Sequence, residues 1–278
     1  MANAFDPRLT PLQRFGRELA RARKEADLTQ VALGKRLGCS SSLVAHIEIG
    51  DRTPKPDLAA RCDEVFGTGD LFRRLCRSVT FPSSGPGWFI EWADEIEPRA
   101  RVLRSWDPLL IPGLLQIESY AGAVFRGGRA APEAEIQERV TARMRRKLIL
   151  ERDNPPELWV LIEESVLNRP IGGPEVMAEQ LDHLVDIAGR SAVRVQIVPF
   201  DSPCTDGLLS SFTIAELPDA PTAVSIESAG TGEVSAAHEL VAAVWGQYDR
   251  IRAEAYRPGP SLQMIKEVRD QWQRKQET

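Results

Sequence analysis

Between Leu28 and Gly50 the chain runs twice through the same order: a hydroxyl residue, a short apolar-patterned stretch, then a glycine. Thr29 is placed to cap a helix that runs to Leu37 and ends at Gly38, and Ser40 to cap a second over 41–49, stopped by Gly50. A serine or threonine oxygen accepts from an otherwise unpaired first-turn N–H, and glycine takes the left-handed conformation that closes a helix without steric cost. Only Gly38, Cys39 and Ser40 separate the two stretches. A link that short turns the second helix sharply across the first, which is the geometry of a helix-turn-helix.

The flanking sequence supplies the rest of an all-α domain. Leu12, Phe15, Leu19, Ala22 and Ala26 recur at steps of three and four and line one face of a helix over 12–26. Leu33, Leu37, Val44 and Ile47 are the expected core of the two short helices. Further helices are expected over 57–66, with Leu58, Cys62 and Val65 inward, and over 70–77. From Ser78 to Gly87 proline, glycine and serine break every helical period, so 78–87 reads as a connection between a domain at 1–77 and a larger one at 88–278.

In the larger domain 157–163, 193–198, 211–216 and 223–227 are rich in β-branched and aromatic residues and bounded by Pro, Gly or Asp, so they read as strands. Helical patterns over 88–97, 117–125, 132–152, 175–188, 233–256 and 261–274 surround them. The expected architecture is multi-domain: an all-α helix-turn-helix domain followed by a mixed α/β (α+β) domain.

Hydrophobic residues at 42% and charged residues at 27% give the balance of globular domains and exclude a disordered or fibrous chain. No apolar run is long enough to span a bilayer, and the N-terminus lacks the order of a secretory signal. A cytoplasmic protein with no membrane partner is expected. Cys39, Cys62, Cys76 and Cys204 are scattered, without CxxC and without a nearby His, so reduced thiols and no metal site are expected. Residues 1–79 hold 14 Lys+Arg against 10 Asp+Glu, a net of +4 in a chain of net −5, which leaves −9 on the remainder. A basic head on an acidic body suits one face for nucleic acid and one that it repels.

The order Leu28-Thr-Gln30, then Leu33-x-x-x-Leu37-Gly38, then Ser40-x-Ser42-x-Val44-x-x-Ile47-Glu48-x-Gly50-x-Arg52-x-Pro54 resembles the Cro/phage-repressor (XRE) family. That resemblance implies that the helix at 41–49 enters the major groove of double-stranded DNA with Ser41, Ser42 and His46 facing base edges. Serine hydroxyls serve several bases, whereas a histidine that donates to guanine N7 or O6 discriminates. It also implies that Gln30, at the start of the preceding helix, contacts a phosphate, and that Arg23 and Glu48 form an ion pair tying the first helix to the end of the recognition helix. Gly34 stands where the family usually has Ala at a tight helix crossing, and Leu43 where it often has a polar or aromatic residue. Arg52 and Lys55 follow the recognition helix, placed to grip the DNA backbone. One such module contacts few base pairs, so a homodimer on half-sites about one helical turn apart is the family expectation.

Trp88-Phe-x-x-Trp92-x-x-x-Glu95, Ile111-Pro-Gly-Leu-Leu-Gln-x-x-x-Tyr120, Arg143-x-x-Arg146-x-x-x-Leu150 and Val198-Pro-Phe200 resemble the C-terminal domain of actinobacterial regulators of the WhiJ-like kind. This implies control by a small ligand or by a small protein encoded in a neighbouring gene. The residues themselves argue against an enzyme: the histidines are His46, His183 and His238, with no GxSxG, HExxH or P-loop near them. Glu163, Glu164 and Arg169 read as a salt-bridged strand end, Gly172-Gly173 as a plain loop, and Trp88 with Trp92 as core packing. No cofactor is expected. Two functions fit: a sequence-specific transcriptional regulator whose C-terminal domain modulates DNA binding, or an antitoxin-like module that neutralises a small partner protein and autoregulates its operon.

Overall fold

The computed structural model describes residues 10–80, 89, 92–127, 131–228 and 231–276. The chain divides into two compact units, 1–95 and 96–278. The division thus falls beyond the segment read as a connection, whose first residues are helical and whose part from 81 on lies outside the described residues, as does Trp88.

Among its described residues the first unit includes the helices α1 (Pro11–Glu25), α2 (Gln30–Leu37), α3 (Ser41–Glu48), α4 (Pro56–Phe66) and α5 (Leu71–Thr80). Side chains close their open first turns. The Thr10 hydroxyl accepts from the Gln13 N–H at 3.2 Å while the Gln13 side chain accepts from the Thr10 N–H at 2.9 Å. Thr29 accepts from Ala32 N–H and Ser40 from Leu43 N–H, each at 3.1 Å. Gly38, at φ +64°, ends α2. Helices of eight residues gain little by themselves, so packing holds them: Phe15, Leu19, Leu33, Leu37, Val44, Ile47, Leu58 and Phe72 form one fully buried core. Each such side chain contributes about 1.5–3 kcal/mol on burial. The buried Asp63 of α4 accepts from the Thr68 hydroxyl and from Phe72 and Arg73 N–H, fixing the start of α5. Ala26, expected inward, is exposed because α1 has ended at Glu25.

The second unit is built on a six-stranded mixed sheet in the order β3-β2-β1-β4-β5-β6. Its strands are β1 (Val102–Asp107), β2 (Glu157–Glu163), β3 (Val193–Val198), β4 (Ser211–Glu216), β5 (Ala223–Ser228) and β6 (Thr231–Ser235). The first three are parallel and the last three join antiparallel. Parallel neighbours need crossovers. Helices α6 (Glu118–Arg126) and α7 (Glu133–Lys147) lie between β1 and β2, and α8 (Ser165–Asn168) and α9 (Pro174–Ala188) between β2 and β3. Two long helices follow, α10 (His238–Glu254) and α11 (Pro258–Arg274). Val244, Tyr248 and Ile251 of α10 pack on Trp106, Leu161, Phe212, Ile214 and Val224 of the sheet. Val160, Leu161 and Ile162 are all buried in succession, so both faces of β2 are covered. The edge of β3 is sealed: Tyr256 N–H donates to Ile197 O at 2.9 Å, and Ile197 N–H to the Ser261 hydroxyl at 3.0 Å.

Three expectations are corrected. Residues 233–256 are not one helix, because Thr231–Ser235 pairs with β5 as a strand and the helix begins at His238. The pattern over 88–97 appears, where described at 92–96, as a single π-turn and then a 3-10 turn over Glu97–Arg99, with Trp92 buried. Likewise the helix expected over 132–152 ends at Lys147 in a 3-10 turn.

A close approach in the first unit is testable. A Cβ on Gly16 of α1 would lie 2.3 Å from the Ile47 carbonyl oxygen at the end of α3. Gly16→Ala is expected to destabilise the first unit by about 1–3 kcal/mol, measured by chemical denaturation, because backbone on both sides leaves no room to yield.

Candidate functional site

The two sides of α3 carry different duties. Val44 and Ile47 point into the core and Leu43 packs partly against it, while Ser42 and His46, one helical turn apart, are exposed. Ser41 is half-buried at the first turn. A Cβ on Gly34 would meet the Cys39 carbonyl oxygen at 2.8 Å, so the small residue there lets α2 sit close against the turn leading into α3.

Arg23 of α1 grips Glu48 at the end of α3 with two bonds, Nε to Oε1 at 2.5 Å and Nη2 to Oε2 at 2.9 Å, and also donates to Leu28 O at 2.9 Å. Both side chains are largely buried. Burial alone would push the Glu48 carboxyl up, but hydrogen bonds from Arg23 and Gln30 and the nearby positive charges outweigh it and hold the group below its ordinary value. The Gln30 amide Nε2 is committed to this cluster, donating to Glu48 Oε2 at 2.9 Å. Of the phosphate-binding groups expected at Gln30, the second N–H of its amide and the first-turn N–H groups of α2 not taken by Thr29 are left to donate.

Arg52, in the loop after α3, and Lys55, which precedes the first residue of α4, are exposed. Among the described residues neither side chain has a hydrogen-bond or ion-pair partner, and Lys55 uses its backbone carbonyl to accept from Leu58 and Ala59 N–H. Asp51 is a residue that the sequence reading passed over: its carboxylate Oδ2 lies 2.9 Å from His46 Nδ1.

In the second unit a cleft of about 200 Å³ opens beyond the carboxyl ends of the three parallel strands, the end of an open α/β sheet where ligands bind. Trp106, Val198 and Ile251 form its inner wall, and Glu163, Asp206, Phe200 and Leu208 line it nearer the mouth. Phe200 is 74% exposed and Leu209, beside Leu208 in the chain, 97%. Glu163 accepts from Ser165, Glu164 from Phe200 N–H, and Asp206 pairs with Arg250. Arg169 is exposed, and among the described residues it makes no ion pair with either glutamate, so the expected salt-bridged cluster is not formed. His183 lies 3.4 Å from Lys147 Nζ and is pulled down by burial and that charge; His238 is exposed at the start of α10.

Residues 14–75 match a helix-turn-helix domain, and residues 93–267, more than half of the chain, match a domain of unknown function, DUF5753. The chain belongs to the DUF5753 family. Neither a curated protein nor a solved structure matches it. A helix-turn-helix domain followed by a DUF5753 domain is the build of a DNA-binding regulator in general terms. No helix among the described residues is long and apolar enough to cross a membrane.

The DUF5753 domain also buries polar groups on its sheet. Ser105, Thr213 and Ser225 stand side by side across β1, β4 and β5. Among the described residues Ser105 Oγ, Ser225 Oγ and Asp107 Oδ2 are buried without a hydrogen-bond partner. Burial, with the Glu227 charge, pushes the Asp107 carboxyl up to about 8, against the pull of the Arg143 charge. Arg143 is itself drawn down to about 10 by burial, stacks on Phe125 and donates to Gln116 at 3.1 Å.

Two outcomes follow from these charges. Arg23→Ala strands a buried carboxylate and is expected to cost the first unit about 3–5 kcal/mol in denaturation; because Glu48 sits below its ordinary value of 4.5, the pair's contribution is present above that pH and fades as pH falls. Asp107 has the opposite sign. Its folded value lies above the ordinary 3.8, so the DUF5753 domain is favoured below that pH and loses stability as pH rises toward 8. The thermal midpoint of Asp107→Asn should therefore gain on the parent steadily between about pH 5 and pH 8.

Proposed function

We propose that this chain is a cytoplasmic, sequence-specific transcriptional regulator of the Cro/phage-repressor (XRE) type and the WhiJ-like kind, and that it binds a pseudo-palindromic duplex as a homodimer. The observation that carries this reading is the division of α3: Val44 and Ile47 anchor it while Ser42 and His46 are left outward at one-turn spacing, the arrangement a major-groove reader needs. Ser41 joins them at the first turn, the N–H groups at the start of α2 and Gln30 face a phosphate, and Arg52 and Lys55 hold the DNA backbone.

The DUF5753 domain modulates this binding through a small ligand or a protein partner, which shifts the dimer only if it binds the DNA-competent and incompetent arrangements with different affinity. The cleft at the carboxyl ends of β1–β3 supports a binding role. The domain works by binding, not by catalysis and without a cofactor, a reading supported by a sequence with no GxSxG, HExxH or P-loop near His183 or His238. The exposed Phe200, Leu208 and Leu209 favour the second reading, an antitoxin-like module, since they extend past what a ligand filling the cleft would cover. A small protein copurifying in stoichiometric amount from the native host supports that reading, and its absence supports the ligand.

His46→Ala is expected to cost about 1–3 kcal/mol on the cognate site and to relax preference at one base position. Lys55→Ala should weaken all sequences alike and reduce the salt slope of binding by about 1. Binding titrations on cognate and random duplexes at several salt concentrations measure both; equal losses on the two duplexes for His46→Ala would remove His46 from the reading surface.

A further inference from the structure

We infer that Asp51 sets which hydrogen-bonding face His46 offers to DNA, making the outward Nε2 an acceptor that selects the amino group of adenine or cytosine. This rests on the reading of His46 as base-facing and changes what it reads.

The geometry is built into the backbone. Gly50, at φ +74°, reverses the chain after α3, its N–H donating to Ile47 O at 3.0 Å and the Asp51 N–H to His46 O at 2.9 Å. This is the paired bonding of a Schellman turn. It brings residue 51 back beside residue 46, and the side chains meet there with Asp51 Oδ2 2.9 Å from His46 Nδ1. A carboxylate only accepts, so the ring nitrogen facing it carries the proton. In a neutral imidazole one nitrogen is protonated and the other is not, and the bond made by one decides the role of the other. With the proton held on Nδ1, Nε2 presents a lone pair. In the major groove that lone pair matches adenine N6 or cytosine N4 amino groups and is repelled by guanine N7 and O6 and by thymine O4. The expectation that histidine selects guanine applies to the opposite tautomer or to the charged ring.

The first experiment uses the full chain without DNA. Two-dimensional nitrogen-15 spectra at about pH 8, where free imidazole is neutral, are expected to show His46 with its proton on Nδ1, assigned by loss of the signal in His46→Ala. In Asp51→Ala the balance should move toward Nε2–H. A parent His46 protonated on Nε2, or no change in Asp51→Ala, overturns the inference whatever DNA does.

The second experiment uses the cognate duplex with the His46-dependent base replaced by an analogue lacking its exocyclic amino group. The parent should lose about fivefold in affinity, the worth of one hydrogen bond, and Asp51→Ala clearly less. Removing the carboxylate also lowers repulsion of phosphates, so the ratio between the two duplexes is the readout. An unchanged ratio in Asp51→Ala, or parent sensitivity to 7-deazaguanine in place of amino deletion, refutes the inferred selection. If His46→Ala leaves every base position unaffected, the base-facing assignment itself fails, while the spectra still decide whether Asp51 orients the ring.

Discussion

The bidentate bond between Arg23 and Glu48 sets where α3 points. An eight-residue helix does not hold itself in water, and Val44 and Ile47 fix only how deeply α3 sits. Its tilt needs a constraint at the far end from the Ser40 cap, and Glu48 is there, joined by two bonds to α1 and by a third to Gln30 of α2. Three helices thus meet on one carboxylate. Such a bond is directional in a way that apolar contact is not, so the cluster orients the outward face of α3 as well as stabilising it. One N–H of the Gln30 amide is held in that arrangement, which fixes where its second N–H points.

The DUF5753 domain positions its cleft by a different rule. Parallel pairing of β1, β2 and β3 requires a crossover after β1 and after β2, and it gathers the loops that follow the three strands at one end of the sheet. Pro108, Glu163 and Phe200, far apart in the chain, come together there for that topological reason. The polar row across β1, β4 and β5 lies where the sheet changes from parallel to antiparallel, and burying hydroxyls and a carboxyl there costs stability.

What was legible in the sequence was local. The bounds of α2 and α3 could be read because their caps and glycines act within three or four residues, and strands β2, β3 and β4 because β-branched and aromatic residues run together between clear breaks. Strand β1 escaped because Arg104, Ser105 and Asp107 interrupt its apolar residues, and only burial against β2 and β4 makes it a strand. Strand β6 escaped because Thr231-Gly-Glu-Val-Ser235 has no preference strong enough to compete with the helix that follows; pairing with β5 decides it. At the candidate site, the outward placing of His46 was what the family resemblance implied, and the residue is exposed. The bond from Gln30 to Glu48 joins residues 18 apart and depends on tertiary placement. Asp51 was within reach of local reasoning, since a glycine at 50 already implies a chain that doubles back.

Because the side chains that anchor α3 are distinct from those that face outward, the target of such a module is free to drift. Exchanges at 42, 46 and 51 fall on exposed positions, whereas those at 44, 47, 48 and 50 disturb the packing, the ion pair or the turn that hold the helix. Descendants of one ancestral copy would then diverge in the operators they recognise well before they diverge in architecture, which lets a genome expand a set of insulated switches from a single scaffold.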